Sequence, residues 1–364
     1  MIVSLMKEHS PTITQRNSSI ELLRIIAMWV IVFYHFHVHV LSVESDTPFF
    51  KAIQIPFHIS VPIFVLISGY FGIHFSVKGF SKFVTQIGFY SLLLLFFFSL
   101  INHFFPCPHP VTNSHIIDGL CFISRTNNLW FVRTYLLLYL LSPFWNKVLQ
   151  GQNIKQRILL LTVLAFIVLY VGIVGQVPGL DGKSIIYFLF VYTIGNTISK
   201  YNLREVFSSK GLFLFFILVN LSLIIIYIAF VNNTIVRLAI LNIAFKYNSP
   251  ICILSASVFF LFFSKLHIDN RIINKIAVSV FAVYLISENA LVNVYLNDTV
   301  RYLMNSYSTI IMYLLLVIFT TVVFAVSVGV DIITLNFQKN LSNGVYYCLN
   351  KAKEKFMCLT KKYI

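Results

Sequence analysis

The sequence predicts an all-α integral membrane protein with about ten transmembrane helices and no soluble catalytic domain. Hydrophobic residues make up 58% of the 364-residue chain and charged residues only 11%, whereas soluble domains are about one quarter charged. Long apolar runs recur along the chain, and the polar segments between them are too short for a soluble domain. Lys and Arg concentrate in alternate segments between the runs, which is typical of a multi-pass membrane protein.

A transmembrane helix needs about 20 mostly apolar residues, and ten segments of the chain are candidates. They are approximately residues 20–41, 51–73, 83–104, 129–149, 158–176, 184–199, 211–231, 249–264, 276–296 and 308–336. The segments that begin at 184 and 249 are short.

The distribution of basic residues predicts the topology. With a cytoplasmic N-terminus, 19 of the 27 Lys and Arg residues fall on the cytoplasmic side, six on the other side and two within spans. This excess predicts that both termini are cytoplasmic. Because the net charge of +15 is scattered between apolar segments, we do not expect nucleic-acid binding. The polar first 18 residues lack the apolar core of a signal peptide, so the mature protein is expected to be the whole chain.

Two units are predicted, a membrane domain at 1–336 and a basic cytoplasmic tail at 337–364. The tail is partly amphipathic, which is typical of a segment that lies on an anionic leaflet. The longest segment on the outer side, 103–128, contains Cys107 and Cys121. A disulfide and two free thiols are both compatible with the sequence there.

The first span carries several ionisable side chains, each of which costs about 2.5–3.5 kcal/mol to insert at the centre of a membrane. Arg24 and His35 are eleven residues apart, which is about three helical turns and roughly 16 Å along one face. Glu21 precedes Arg24 by three residues, a spacing that allows an ion pair. His39 continues the same stripe, whereas His37 lies on the opposite side. Spacing alone is compatible with an active site and with side chains that only reach toward the membrane boundary.

Three later spans also contain polar residues among apolar ones. Ser68 and Gly69 lie in a span interrupted by Pro and Gly, where small residues permit close helix packing or irregular backbone lines a cavity. Trp130 and Arg133 begin another span, either as part of an interfacial belt or beside a polar cavity. Glu288 is a lone carboxylate that either pairs with an arginine or handles protons.

Together, four segments of the chain resemble the acyltransferase-3 family of bacterial membrane acyltransferases, in its polysaccharide and lipopolysaccharide O-acetyltransferase branch. Arg24 and His35 fit the family's R-x10-H pattern, and FVLISGY at 64–70 resembles F-F-x-x-S-G-Y/F. LWFVRTYLLLYLLSPFWN at 129–146 is similar to W-F-x-x-x-Y-L-x-x-Y-L-x-x-P-x-x-N. VYLISENA at 283–290 is similar to Y-L-I-H-x-N-P, with Ser287 and Ala290 in place of His and Pro.

The resemblance implies transfer of an acyl group, usually acetyl from cytoplasmic acetyl-CoA, to a hydroxyl of a cell-surface polysaccharide or a lipid-linked glycan. It implies a multi-pass protein of the bacterial inner membrane, in contact with membrane lipids, with acetyl-CoA as co-substrate. We expect no permanently bound cofactor and no metal. The main alternative is a transporter, flippase or exporter of a glycan or small metabolite, in which the buried charges would form a substrate or proton path.

The resemblance also implies roles for individual residues. His35 is expected to act as the general base or a transient acyl carrier, because the pKa of histidine is near the working pH. Arg24 is expected to hold CoA phosphate or orient the thioester. Glu288 is expected to pair with an arginine or polarise a histidine. The remaining expected contacts are Lys78, Lys82 and Ser68 for acetyl-CoA, and Arg133, Trp130, Tyr135 and Glu21 for the acceptor.

Overall fold

A computed structural model describes residues 17–44, 48–121 and 129–361. This part of the chain contains helices and no strands, which confirms the all-α prediction. In chain order the α-helices are α1 (Ser18–Phe36), α2 (Pro48–Ala52), α3 (Ser60–Phe71), α4 (Val77–Phe104), α5 (Asn113–Leu120), α6 (Trp130–Gln150), α7 (Ile154–Ala165), α8 (Ile185–Lys200), α9 (Ser209–Ala229), α10 (Thr234–Ala244), α11 (Pro250–Ser264), α12 (Arg271–Val278), α13 (Val280–Ser287), α14 (Ala290–Ser306) and α15 (Thr309–Lys361).

Shorter helical stretches extend three of these elements. A π-helical stretch, His37–Leu41, continues α1, and a second one, Phe166–Val174, continues α7. A 3-10 turn at Ile55–Ile59 leads from α2 into α3. These extensions bring His39 and His58 to the same end of the helical bundle as the start of α6.

Six stretches within the described ranges are long and apolar enough to cross a membrane. They are Ser18–Leu41, Pro48–Phe71, Val77–Phe104, Ile154–Val174, Ser209–Ala229 and Thr309–Glu354. Helices α12–α14 add a seventh if the bent pair is counted as one span. Helices α6, α8 and α11 cover the predicted spans at 129–149, 184–199 and 249–264 but are too short or too polar for this criterion. The fold is that of an integral membrane protein, while ten spans and cytoplasmic termini stay predictions.

The predicted span at 276–296 is not one continuous helix in the structure. The chain bends by 83° between Ser287 and Ala290, where α13 ends and α14 begins. The new helix starts there because Asn289 has an extended backbone and its side chain accepts a hydrogen bond from the Leu291 amide at 3.0 Å, an N-cap arrangement. The break leaves Glu288 between two helices rather than on the face of one.

The final helix is longer than the predicted span at 308–336. Helix α15 continues without interruption from Thr309 to Lys361. No break in the helix marks the proposed boundary at 336–337, so the division into a membrane domain and a tail remains a prediction from composition.

The segment after α4 is held by charge contacts rather than by a disulfide. Cys107 and Cys121 are both free thiols. His109 Nε2 lies 2.6 Å from Asp298 Oδ2, and Arg301 lies 2.8 Å from the other oxygen of the same carboxylate. The His109 contact joins the segment to α14, and Arg301, on the same helix as Asp298, holds that carboxylate in place.

Glycine residues allow α3 and α8 to cross in direct backbone contact. A Cβ atom on Gly69 would lie 2.1 Å from the carbonyl oxygen of Tyr192, and one on Gly195 would lie 2.3 Å from that of Leu66. Small residues at a crossing are a general means of close helix association in membranes. The close-packing interpretation of Gly69 is therefore the one that the geometry supports.

The N-terminus of α1 is clamped to the loop between α11 and α12. The Ser19 hydroxyl donates to the carbonyl oxygen of Leu266 at 2.7 Å and accepts from the amide of Ile268 at 3.1 Å. The Ser18 hydroxyl accepts from the amide of Asn270 at 3.1 Å. Because both serines are buried, these bonds fix the start of α1 relative to the helices that lead to Glu288.

We expect Gly69→Ala to destabilise the protein by about 1–3 kcal/mol, the usual cost of overpacking a rigid contact. The added methyl group would meet backbone atoms of α8, which cannot rotate away as a side chain can. Thermal unfolding of the purified protein in lipid nanodiscs measures the effect. Gly329→Ala is the matched control, because a Cβ atom there meets nothing within 4 Å. A Gly69→Ala protein as stable as the control would contradict this account of the crossing.

Candidate active site

A cavity of about 400 Å³ lies at the end of the bundle where α1 finishes and where α6, α8 and α11 begin. Its lining includes side chains from the α1 stripe, from the start of α6, from the loops before α8 and α11, and from the break between α13 and α14. Among the lining residues are Tyr34, His35, His39, His58, Trp130, Asp181, Lys183, Lys246, Tyr247 and Glu288. Of the site residues expected from the sequence, His35, Trp130 and Glu288 line it.

The central feature of the cavity is a contact between His35 and Glu288. His35 Nδ1 lies 2.6 Å from Glu288 Oε1, and the side chains are only 13% and 4% exposed. The sequence is compatible with two kinds of partner for Glu288, an arginine or a histidine. The structure places it against the histidine.

The geometry of α1 separates its three histidines as the helical spacing predicts. His39 stands beside His35, with 5.6 Å between ring centroids, and also lines the cavity. His37 is fully buried on the other side. Its Nδ1 lies 3.1 Å from the carbonyl oxygen of Phe33 and its Nε2 lies 3.1 Å from the hydroxyl of Tyr313. Both nitrogens of His37 are therefore engaged away from the cavity.

Aromatic rings form one wall of the cavity. The rings of Trp130 and Tyr247 are 5.5 Å apart, and the ring of Tyr247 is 5.7 Å from that of His58. His58 Nε2 lies 3.1 Å from the hydroxyl of Tyr34, and its Nδ1 lies 3.0 Å from the carbonyl oxygen of Gln54. Aromatic faces of this kind suit a ligand with apolar ring faces and polar edges.

Sequence reasoning missed several cavity residues. His58 stood between two prolines in the second span, but nothing in its spacing connected it with His35. Lys183 and Lys246 were counted only as loop charges. One feature of the sequence does set these two lysines apart from other loop charges. Each comes shortly before a serine that caps a helix, Ser184 for α8 and Ser249 for α11.

Arg24 and Ser68, expected to contact acetyl-CoA, lie away from this cavity, and so do Glu21 and Tyr135, which are expected to contact the acceptor. Arg24 forms the predicted ion pair with Glu21 at 3.1 Å and stays partly exposed. The hydroxyl groups of Ser68 and Tyr135 are 3.0 Å apart, and Tyr135 lies within electrostatic range of Arg24. These four residues form a second polar cluster, which we call the Arg24 cluster.

Three other predicted site residues take separate positions. Lys78 and Lys82 are exposed near the start of α4 and do not line the cavity. Arg133 is half-buried in α6 and forms no ion pair with the described side chains. Of the two kinds of partner expected for Glu288, the one that lies against it is the histidine, His35.

Within the described residues, no three His, Cys, Asp or Glu side chains come together as a metal site. The chemistry available from the chain itself at the cavity is that of an imidazole held against a carboxylate. Such a pair can take a proton from a weak nucleophile and return it to a leaving group.

The chain belongs to the acyltransferase-3 family. The family model Acyl_transf_3, described as an acyltransferase domain, matches residues 17–329, which include α1, the cavity and the break at Glu288. No curated protein and no solved structure gives a significant match. The protein is therefore a membrane acyltransferase.

We expect Glu288→Gln to reduce acyl transfer by about a hundredfold or more, the usual range for losing one member of an acid–base pair. The amide keeps the shape of the side chain but cannot stabilise a proton on the His35 imidazole. Initial rates of acyl transfer by purified protein measure the effect. Glu205→Gln, on an exposed side chain of the loop before α9, is the matched control. Equal rates for both variants would exclude a catalytic role for the pair.

Proposed function

We propose that the protein transfers an acetyl group from acetyl-CoA to a hydroxyl group of a cell-surface polysaccharide or a lipid-linked glycan in the bacterial inner membrane. The observation that carries the proposal is the contact of 2.6 Å between His35 and Glu288 at the wall of the cavity. A sugar hydroxyl is a weak nucleophile and needs a base that works near neutral pH, which an imidazole provides.

In this mechanism His35 acts as the general base. Glu288 Oε1 lies 2.6 Å from Nδ1; in this mechanism Nδ1 carries the proton of the neutral imidazole, and the Nε2 lone pair is left for the acceptor. His35 Nε2 removes the hydroxyl proton as the sugar oxygen attacks the thioester carbonyl. The carbon–sulfur bond then breaks, and the CoA thiolate leaves and takes up a proton. Glu288 stabilises the imidazolium that exists between these steps.

The donor is assigned to the Arg24 cluster and the acceptor to the aromatic cavity. Arg24 and His35 share a face of α1 but lie roughly 16 Å apart along its axis. A guanidinium suits phosphate groups, and Trp130 and Tyr247 suit the faces of a sugar ring. The acetyl group must therefore pass along the face of α1, either still attached to CoA or after transfer to His35 as an acyl carrier.

The family relationship supports acyl transfer over the transporter considered above. A transporter would use the same buried charges for a substrate or proton path, without consuming a thioester. No feature of the cavity specifically favours that alternative, since its paired imidazole and carboxylate are what acyl transfer to a hydroxyl requires.

We expect His35→Gln to abolish transfer of label from radiolabelled acetyl-CoA to membrane glycolipid. Purified protein in vesicles containing a bacterial glycolipid extract is the system to use. His37→Gln is the matched control, because it makes the same chemical change two residues away on the opposite side of α1. Unfolding temperatures of both variants separate a loss of chemistry from a loss of fold. Full labelling by folded His35→Gln protein would show that His35 is not the base.

We expect Arg24→Gln to raise the KM for acetyl-CoA by about tenfold to a hundredfold, the equivalent of one charged hydrogen bond. The KM for the acceptor should stay unchanged, because Arg24 does not line the cavity. Steady-state kinetics with each substrate varied in turn measure both constants. Arg237→Gln removes an exposed arginine of α10 and serves as control. A change in the acceptor KM alone would place the acceptor, not the donor, at Arg24.

A further inference from the structure

Two lysines at the cavity come from different loops of the chain. Lys183 directly precedes Ser184, the N-cap of α8, and Lys246 lies three residues before Ser249, the N-cap of α11. Both lysines line the cavity that contains His35. The sequence-based topology assigns only six Lys and Arg residues to that side of the membrane, so two of them at one cavity is a concentration of positive charge.

Close packing of the two loops holds these lysines together. A Cβ atom on Gly182 would lie 2.6 Å from Cβ of Tyr247 and 2.8 Å from the amide nitrogen of Asn248. The Asn248 side chain in turn donates to the carbonyl oxygen of Val168 at 3.2 Å. The loops therefore abut at Gly182 without room for a side chain, and this packing brings the two lysine-bearing loops to the same cavity.

Within the described residues, no side chain forms an ion pair with Lys183 or Lys246. The Lys183 ammonium lies 5.3 Å from the ring centroid of Trp130, a cation–π contact that leaves its charge in place. The lining also holds two carboxylates, and neither is within ion-pair distance of a lysine ammonium. Glu288 lies against His35, and Asp181 accepts a hydrogen bond from the backbone amide of Lys183 at 3.0 Å.

The backbone adds to this positive potential. Helices α6, α8 and α11 all begin at the cavity, and each helix N-terminus carries a partial positive charge. The cavity thus combines an aromatic wall for a sugar ring, a base for a hydroxyl group and two lysines whose ammonium groups form no ion pair with a described side chain.

We infer that the acceptor carries an anionic group, a carboxylate or a phosphate, close to the hydroxyl that is acylated, and that Lys183 and Lys246 bind this group. This inference rests on the proposed function, because it names the class of substrate that the same cavity takes. The anionic group comes either from an acidic sugar or from the phosphate of a lipid-linked carrier. Binding at the lysines aligns the neighbouring hydroxyl with His35, since all three side chains line one cavity.

The test uses the full chain purified in nanodiscs and three acceptors. One is a uronic-acid oligosaccharide, the second is the same oligosaccharide with its carboxylates reduced to alcohols, and the third is a neutral sugar linked to prenyl phosphate. Transfer of label from acetyl-CoA gives KM and kcat for each, and calorimetry measures binding of the uronic-acid oligosaccharide without a donor. Lys183→Met and Lys246→Met are compared with Lys155→Met, which removes an exposed lysine at the start of α7.

We expect at least one anionic acceptor to have a KM about tenfold or more below that of the reduced oligosaccharide. A change of this size corresponds to the free energy of one hydrogen bond to a charged group. Lys183→Met and Lys246→Met should each erase this preference, whereas Lys155→Met should keep it. The KM for acetyl-CoA should not change in any of the three variants. Preference for the uronic acid identifies an acidic sugar, and preference for prenyl phosphate identifies the lipid carrier.

Equal KM values for charged and reduced acceptors would overturn the inference while leaving the proposed function intact. A raised KM for acetyl-CoA in the lysine variants would also overturn it, because the lysines would then hold the phosphates of the donor. If no acceptor is acetylated but both lysines are needed for binding of the uronic acid, the proposed function fails and the anion site stands. Unfolding temperatures of all variants exclude loss of fold as the cause.

Discussion

The contact between His35 and Glu288 is the interaction on which the arrangement of the site depends. A buried carboxylate needs a polar partner, and Glu288 has the His35 imidazole 2.6 Å away. One side chain stands on α1 and the other at the break between α13 and α14. Their contact therefore joins α1 to the helices near the end of the chain and fixes which nitrogen of the imidazole lies against the carboxylate.

Several features of the scaffold hold this contact in place. Hydrogen bonds from Ser18 and Ser19 tie the start of α1 to the loop that leads into α12. The 83° bend after α13 leaves Glu288 at a break between two helices, where its side chain lines the cavity. Irregular backbone within a membrane is tolerated where it borders a cavity. The break is thus a means of placing Glu288 and not a defect in packing.

Two polar regions lie on the same face of α1. Arg24 is paired with Glu21 near the start of the helix, and His35 meets Glu288 near its end. The second region shares a cavity with the rings of Trp130 and Tyr247 and with two lysines. In the proposed function, a phosphate-rich donor and a sugar acceptor would be bound in separate regions by the groups that suit each of them.

The sequence by itself determined the all-α membrane class, the common face of Arg24, His35 and His39, and the family, because helical periodicity and short motifs are local properties of the chain. It did not reveal the bend at Glu288, since an apolar run looks the same whether or not an Asn cap restarts the helix. Only the tertiary structure decided that Glu288 meets His35 rather than Arg133 and that Lys183 and Lys246 share the cavity. Those pairs are distant along the chain, and packing between helices brings them together.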